Sequence, residues 1–158
     1  MNLDQQIAIL RDNAPNHGIS PVVIEKAIAP ALKMFAKQLK HEHYYLLQNL
    51  QQGWILTTLS NRSQPQQQKK VIYAFATSKD AMNFANSSDP KIVADSVPLM
   101  QILFQMLAIQ PLDSMIFMDL PGNLSSGTEV RRVDVQNLVQ TNLKKLQSQT
   151  SNLPTDIA

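Results

Sequence analysis

The side chains able to do chemistry in this 158-residue chain are two aspartates near strand ends, three histidines and a loop framed by glycines. Asp95 and Asp119 each lie close to the end of a strand-like apolar run, so a carboxylate pair for general acid–base work is one arrangement to test. His41 and His43 fall two apart, on one face of an extended segment, as a two-ligand metal clip requires. A tight site needs three or four ligands, and Glu42 would point the other way. The pair is therefore read as histidines at a helix–strand junction. Gly122 and Gly127-Thr128 have the spacing of a phosphate-binding loop, but its lysine is missing and the segment leads into an extended piece rather than a helix. Ser87, Ser88, Ser125 and Ser126 lie outside any G-x-S-x-G elbow and read as turn residues. Cysteine is absent, which removes thiolate nucleophiles, thiolate metal sites and disulfides. The residue types thus assign no catalytic, cofactor-binding or metal-ligating position.

Surface chemistry offers more. Trp54, Tyr44, Tyr45 and Tyr73 could build an aromatic platform on a sheet, whose commoner role is half-buried packing. Lys26, Lys33, Lys37 and Lys40 fall on one helix face. A basic stripe can meet phosphate, and lysines near a helix C-terminus also answer the helix dipole from a solvated face. The net charge of +2, with 16% charged residues, is too small for a strong nucleic-acid or membrane signature. Trp54, Met100, Phe104, Lys33, Lys37 and Lys40 are the residues expected to form an interaction surface.

The elements that must position these residues follow from periodicity. Leu3, Ile7 and Leu10 predict a short first helix behind Asn2. Ser20 and Pro21 open a second, whose stripe Ile24, Ile28, Ala31, Phe35, Leu39 keeps its phase across Pro30 and so implies a kink. From His43 the period becomes two. Tyr44–Leu50, Trp54–Leu59 and Val71–Thr77 predict an antiparallel meander, with a mobile polar loop from Asn61 to Lys70. In the third strand Ile72, Ala74 and Ala76 share a small-residue face on which a helix can dock, and Thr77-Ser-Lys-Asp80 resembles a capping box ahead of a short helix ended by Asn86. A strand Lys91–Val97 leads to a helix from Pro98 to Ala108. Its wide apolar stripe must pack between sheet and N-terminal helix or form an oligomer interface. Met115–Leu120 is the last clear strand, and Asp134 caps the final helix. The expected architecture is a single α+β domain over 1–147. Two helices over 1–41 precede a mixed sheet of about five strands with helices packed on it, and a disordered tail 148–158 follows.

The stretches Phe75-Ala-Thr77, Asn83-Phe84-Ala85, Val97-Pro98-Leu99 and Leu120-Pro-Gly122 resemble the N-terminal domain of SseB-like (enhanced serine sensitivity) proteins. The resemblance covers Trp54 to Leu146, within a segment of that type over 43–146. Asp119-Leu-Pro-Gly stands where the family has an Asn-Pro turn, and the N-terminal helices are additional. The resemblance implies an uncharacterised bacterial protein of that type, an accessory or binding module, and carries over no catalytic residue. The function expected is a non-catalytic protein-interaction module, with another protein or a second copy as partner and no cofactor. The alternatives are a small enzyme with a cleft near Asp119–Gly127, or weak nucleic-acid binding through Lys26, Lys33, Lys37 and Lys40. Met1 to Leu10 lacks the basic and apolar regions of a secretory leader, and the longest chargeless run, Ser96–Leu112, is too polar to span a bilayer. A cytoplasmic location without membrane contact is expected.

Overall fold

The computed structural model describes residues 1–60, 63–64, 66–85 and 90–151. Helix α1 (Leu3–Asn13) starts in a reciprocal capping box. Asn2 Oδ1 accepts the Gln5 N–H at 2.8 Å, and Gln5 Oε1 accepts the Asn2 N–H at 3.0 Å. A 3₁₀ turn (Ala14–His17) ends at Gly18, whose φ of +71° is one that glycine adopts without strain. Ser20 then caps α2 (Pro21–Val23). Where the kink is expected, Pro30 is preceded by a π-helical turn (Ile24–Ile28) before α3 (Ala29–Ala36). Proline has no N–H for the ordinary i−4 bond and its ring presses on that carbonyl, so a widened turn relieves both problems. Asn142, across the helix interface, donates from Nδ2 to the Ala27 carbonyl at 3.0 Å.

Among the described residues the mixed sheet has six strands: β1 (His43–Gln48), β2 (Thr57–Ser60), β3 (Gln68–Phe75), β4 (Val93–Pro98), β5 (Ser114–Met118) and β6 (Thr128–Arg131). Its order is β4-β1-β3-β5-β6, and β2 lies beside the first half of β3. Only the β3–β5 pair is parallel. The meander is present in modified form. β1 meets β2's approach through a bridge between Gln48 and Trp54, then pairs directly with β3 at Ala74 and Phe75. β3 also starts three residues before Val71, because Gln68–Val71 zip against Thr57–Ser60. Of the polar loop expected ahead of β3, Asn61, Arg62 and Pro65 lie outside the described residues, as do Asn86 and most of the Ser87–Pro90 turn.

The sheet is covered on both faces. Tyr44, Leu46, Ile72, Ala74, Met115 and Phe117 point into the main core, under the N-terminal helices, α5 (Leu99–Met106) and α6 (Arg132–Ser151). Leu47, Phe75 and Met118 form a smaller core under α4 (Ser78–Ala85), where Phe84 meets Tyr73 and Phe75 at 4.5 and 5.1 Å between ring centroids. The small-residue face of β3 therefore docks helices, as its alternation predicts. The wide stripe of α5 is answered from within the chain: Leu99, Met100, Ile102, Leu103 and Met106 are all buried against sheet and helices. Helix α6 runs through Ser151, past Gln147 where the pattern places its end. The rest of the expected tail, 152–158, lies outside the described residues. Among the described residues no helix is long and apolar enough to cross a membrane.

Helix α5 is held at both ends by side chains from elsewhere. Its N-cap is Pro98, which offers no side-chain acceptor. The buried Gln6 of α1 supplies one, its Oε1 accepting the Met100 N–H at 2.9 Å while its Nε2 donates to the Glu42 carbonyl at 2.9 Å. Beyond the other end, the Arg132 guanidinium donates to the carbonyls of Leu112 and Gln110 at 2.8 and 2.9 Å. The exposed residues of α5 thus ride on a fixed frame.

Candidate functional site

The first candidate is the Asp119 region, at the C-terminal ends of the parallel strands β3 and β5. Open α/β sheets often bind ligands at such ends. Here the polar groups are taken up by one another. Tyr44, fully buried, donates its hydroxyl hydrogen to Asp119 Oδ1 and accepts the His41 N–H at 3.3 Å. The His41 ring donates from Nε2 to the Asp119 carbonyl at 2.8 Å, which places the neutral ring's proton on that nitrogen. Burial, and then the hydrogen bond to Asp119, push the Tyr44 hydroxyl pKa well above its ordinary value. Next to this cluster, Thr77 Oγ1 accepts the Asp80 N–H at 3.1 Å as an N-cap. The Asp80 carboxylate does not close the capping box. It turns to the Gly122 N–H, at 3.0 Å from Oδ2, and ties α4 to the turn after β5. We call this network the Asp119 clamp.

The other sequence candidates disperse. Asp95 lies in β4 opposite Leu46, and β1 and β3 separate β4 from β5. At about 4.8 Å per strand, that sets Asp95 and Asp119 about 14 Å apart across the sheet, so they share no site. His43 pairs with Pro98 in the β1–β4 ladder while His41 is engaged at Asp119. Among the described residues no three of His, Asp and Glu are grouped to hold a metal ion. Gly127 leads into β6, and a Cβ on it would come within 2.7 Å of the Met118 sulfur. That glycine serves close packing on β5. Ser125 donates from its N–H and Oγ to Asn123 Oδ1, a turn bond, and Ser87 and Ser88 lie outside the described residues.

The expected interaction residues divide too. Met100 is fully buried in the main core, so it presents no side chain to a partner and does not belong to the surface. Lys33, Lys37 and Lys40 are exposed on and just beyond α3, with Lys33 paired to Asp4 at 2.9 Å. Of the aromatic platform, Tyr44 lies in the main core, whereas Tyr45 and Tyr73 lie on the opposite face of the sheet. Trp54 and Phe104 stay half-exposed, and both line concave surface.

That surface is a groove beside α5, formed by three cavities. A middle cavity of about 280 Å³ is lined by Gln48, Gln52, Trp54, Asp95, Gln101 and Gln105. On one side, a cavity of about 440 Å³ is lined by Trp54, Leu56, Ile72, Gln105 and Ile109. On the other, one of about 230 Å³ is lined by Ile9, Leu10, His17, Gln101, Phe104 and Gln105. Gln105 borders all three. Gln101 and Gln105 are exposed one turn apart on the fixed frame of α5. Gln48 is 8% exposed and forms part of the wall, its Nε2 donating to Asp95 Oδ2 at 3.3 Å. Trp54 is set by a tight turn. Asn49 Oδ1 accepts the N–H groups of Gln51 and Gly53, and Ile55 N–H donates to the Leu47 carbonyl. Gln52 occupies the left-handed region of that turn with φ 63°, the one non-glycine described residue to do so. Amide side chains dominate the middle of the groove, and Asp95 is its one carboxylate among the described residues. Sequence reading found Trp54 and Phe104 but missed the glutamines; their i, i+4 spacing on an otherwise apolar helix was the available signal.

A larger depression of about 610 Å³ lies between the β2–β3 hairpin and the start of α6. Its cations are already answered. Lys69 pairs with Glu129, Arg131 lies 3.6 Å from Asp134, and Arg132 holds the end of α5. It offers an anion little that is not in use.

The chain matches no protein-family model and no curated protein sequence.

Proposed function

We propose that this protein is a non-catalytic interaction module whose contact surface is the groove beside α5, centred on Trp54 and Gln105. One observation carries the reading: three cavities meet at Gln105, an exposed side chain on a helix fixed at both ends, and two of them are lined by Trp54. A rigid, concave, nearly uncharged surface with an aromatic ring at its centre suits a protein partner, because the fold has already ordered the frame that carries it. The partner is another protein or a second copy of this chain. The resemblance to SseB-like proteins, themselves an accessory type, points the same way. The Asp119 clamp supports the non-catalytic reading, since its Tyr44 hydroxyl and Asp119 carboxylate are bonded to each other and buried away from any substrate.

The test is native co-purification with wild-type protein and with Trp54→Ala and Gln105→Arg, alongside light scattering for self-association. The reading expects a partner, or a dimer, that both substitutions remove. A wild-type protein that is strictly monomeric and retains no partner refutes it, as does a partner that both variants keep.

A further inference from the structure

The anatomy of the groove specifies what kind of protein segment fits it. The middle cavity is walled by Gln48, Gln52, Gln101 and Gln105. Each primary amide presents a donor and an acceptor side by side, which matches the N–H and C=O of a peptide backbone. The cavities on either side are apolar at their ends, with Leu56, Ile72 and Ile109 in one and Ile9, Leu10 and Phe104 in the other. Amides in the centre and apolar pockets at both ends suit a chain that is read through its backbone and anchored by two side chains. A sugar would leave the end pockets without an occupant. A cationic segment would find, among the described residues, Asp95 alone to answer it, and that carboxylate is already held by Gln48.

We propose that the groove takes an extended, uncharged peptide segment with two apolar anchors, an inference that rests on the interaction reading above. Spacing sets its register. The lining that the three cavities share runs from Gln101 along α5 and through the turns after it to Ile109, an extent of about 12 Å at a helix-like rise per residue. An extended peptide covers that distance in about four residues, whereas a helix needs about eight. Trp54 lies between the middle cavity and one end pocket, and Gln52 beside it is held at φ 63°, which sets the direction in which its Cα–Cβ bond leaves the turn.

The probe is a displayed library of random peptides of about twelve residues, selected on the full-length wild-type protein. The selected peptide is then synthesised and titrated while the emission of Trp54, the single tryptophan, is followed. The expected winners carry two apolar residues about three to five positions apart with no Lys, Arg, Asp or Glu between them. They shift the Trp54 emission, and Gln105→Arg weakens them at least about tenfold, because it replaces the neutral amide at the junction of the three cavities by a longer, charged side chain that the peptide must desolvate. Anchors about seven or eight apart would mean a helix and overturn the proposal. Failure to enrich, winners indifferent to Gln105→Arg, or a Trp54 shift produced by maltohexaose and by no peptide would each overturn it as well. If it fails while a native protein partner is still lost with Trp54→Ala, the interaction reading stands and only the extended peptide falls. If that partner is also indifferent to the substitution, both fall.

Discussion

The Asp119 clamp and the Trp54 groove hold similar numbers of polar side chains and use them in opposite ways. In the clamp, Tyr44, His41 and Asp119 lie at the ends of β1 and β5, bonded to each other, with Tyr44 and Asp119 out of water. In the groove, Gln52, Gln101 and Gln105 stand exposed around a ring that is only half covered. A buried polar group must be paired or it costs stability, so the clamp's bonds belong to the fold. An exposed amide on a fixed concave wall costs nothing to leave in water and remains available. The more reactive side chains, carboxylates and a histidine, are thus the structural ones, and the plain glutamines are the ones left exposed, as the proposed contact surface requires.

Substitutions should separate the two regions, beginning with the buried side of the groove's own helix. Met100→Ala removes a fully buried side chain and should cost about 2–5 kcal/mol by chemical denaturation. A cost below about 0.5 kcal/mol would return Met100 to the surface. Tyr44→Phe leaves the buried Asp119 carboxylate without its hydroxyl donor and should cost about 1–3 kcal/mol, with partner binding unchanged below the melting transition.

The same clamp predicts a pH response. The Tyr44 pKa is raised in the folded protein, so the native state favours its protonated form. Its contribution is complete below the ordinary tyrosine pKa of about 10 and is lost as pH rises above it. Denaturation midpoints should therefore fall in that alkaline range, and less steeply for Tyr44→Phe. Glu129 behaves oppositely, held below the usual carboxylate range by hydrogen bonds first from Lys69 and then from Ser114. Its contribution is present above the ordinary glutamate pKa and lost as pH falls through the lowered one, and Lys69→Met should flatten that acid limb. The smallest change belongs to the groove. Gln52→Gly relieves a positive φ and should stabilise by about 0.5–1 kcal/mol while weakening partner binding, which equilibrium denaturation and a binding titration read separately.

Much of the fold was legible in the sequence. The strands around Tyr44–Leu47 and Val71–Phe75, the capped starts at Asn2 and Ser20, and α5 all rest on apolar spacing or cap residues, which are local signals. What stayed hidden depends on partners distant in the chain. Gln68, Lys69 and Lys70 look like loop and become strand because β2 offers them a ladder. Met100 looks available because a wide stripe does not say which elements will cover it, and the fold places it in the main core, with its backbone N–H bonded to Gln6 of α1. Asp80 reads as half of a capping box, yet its carboxylate finds Gly122, which lies 42 residues away. The groove was half legible: Trp54 and Phe104 stand out by type, and Gln101 and Gln105 by their i, i+4 spacing, whereas nothing local joins them to Gln48 and Gln52 until the fold sets all four around one cavity.

The division between a structural clamp and a binding groove is tested most directly by titrating one co-purified partner onto Gln105→Arg and Tyr44→Phe, each well below its melting temperature. The prediction is that Gln105→Arg loses the partner with its stability within about 0.5 kcal/mol of wild type, while Tyr44→Phe, though less stable, binds as wild type does. Binding that survives Gln105→Arg and fails with Tyr44→Phe would contradict it.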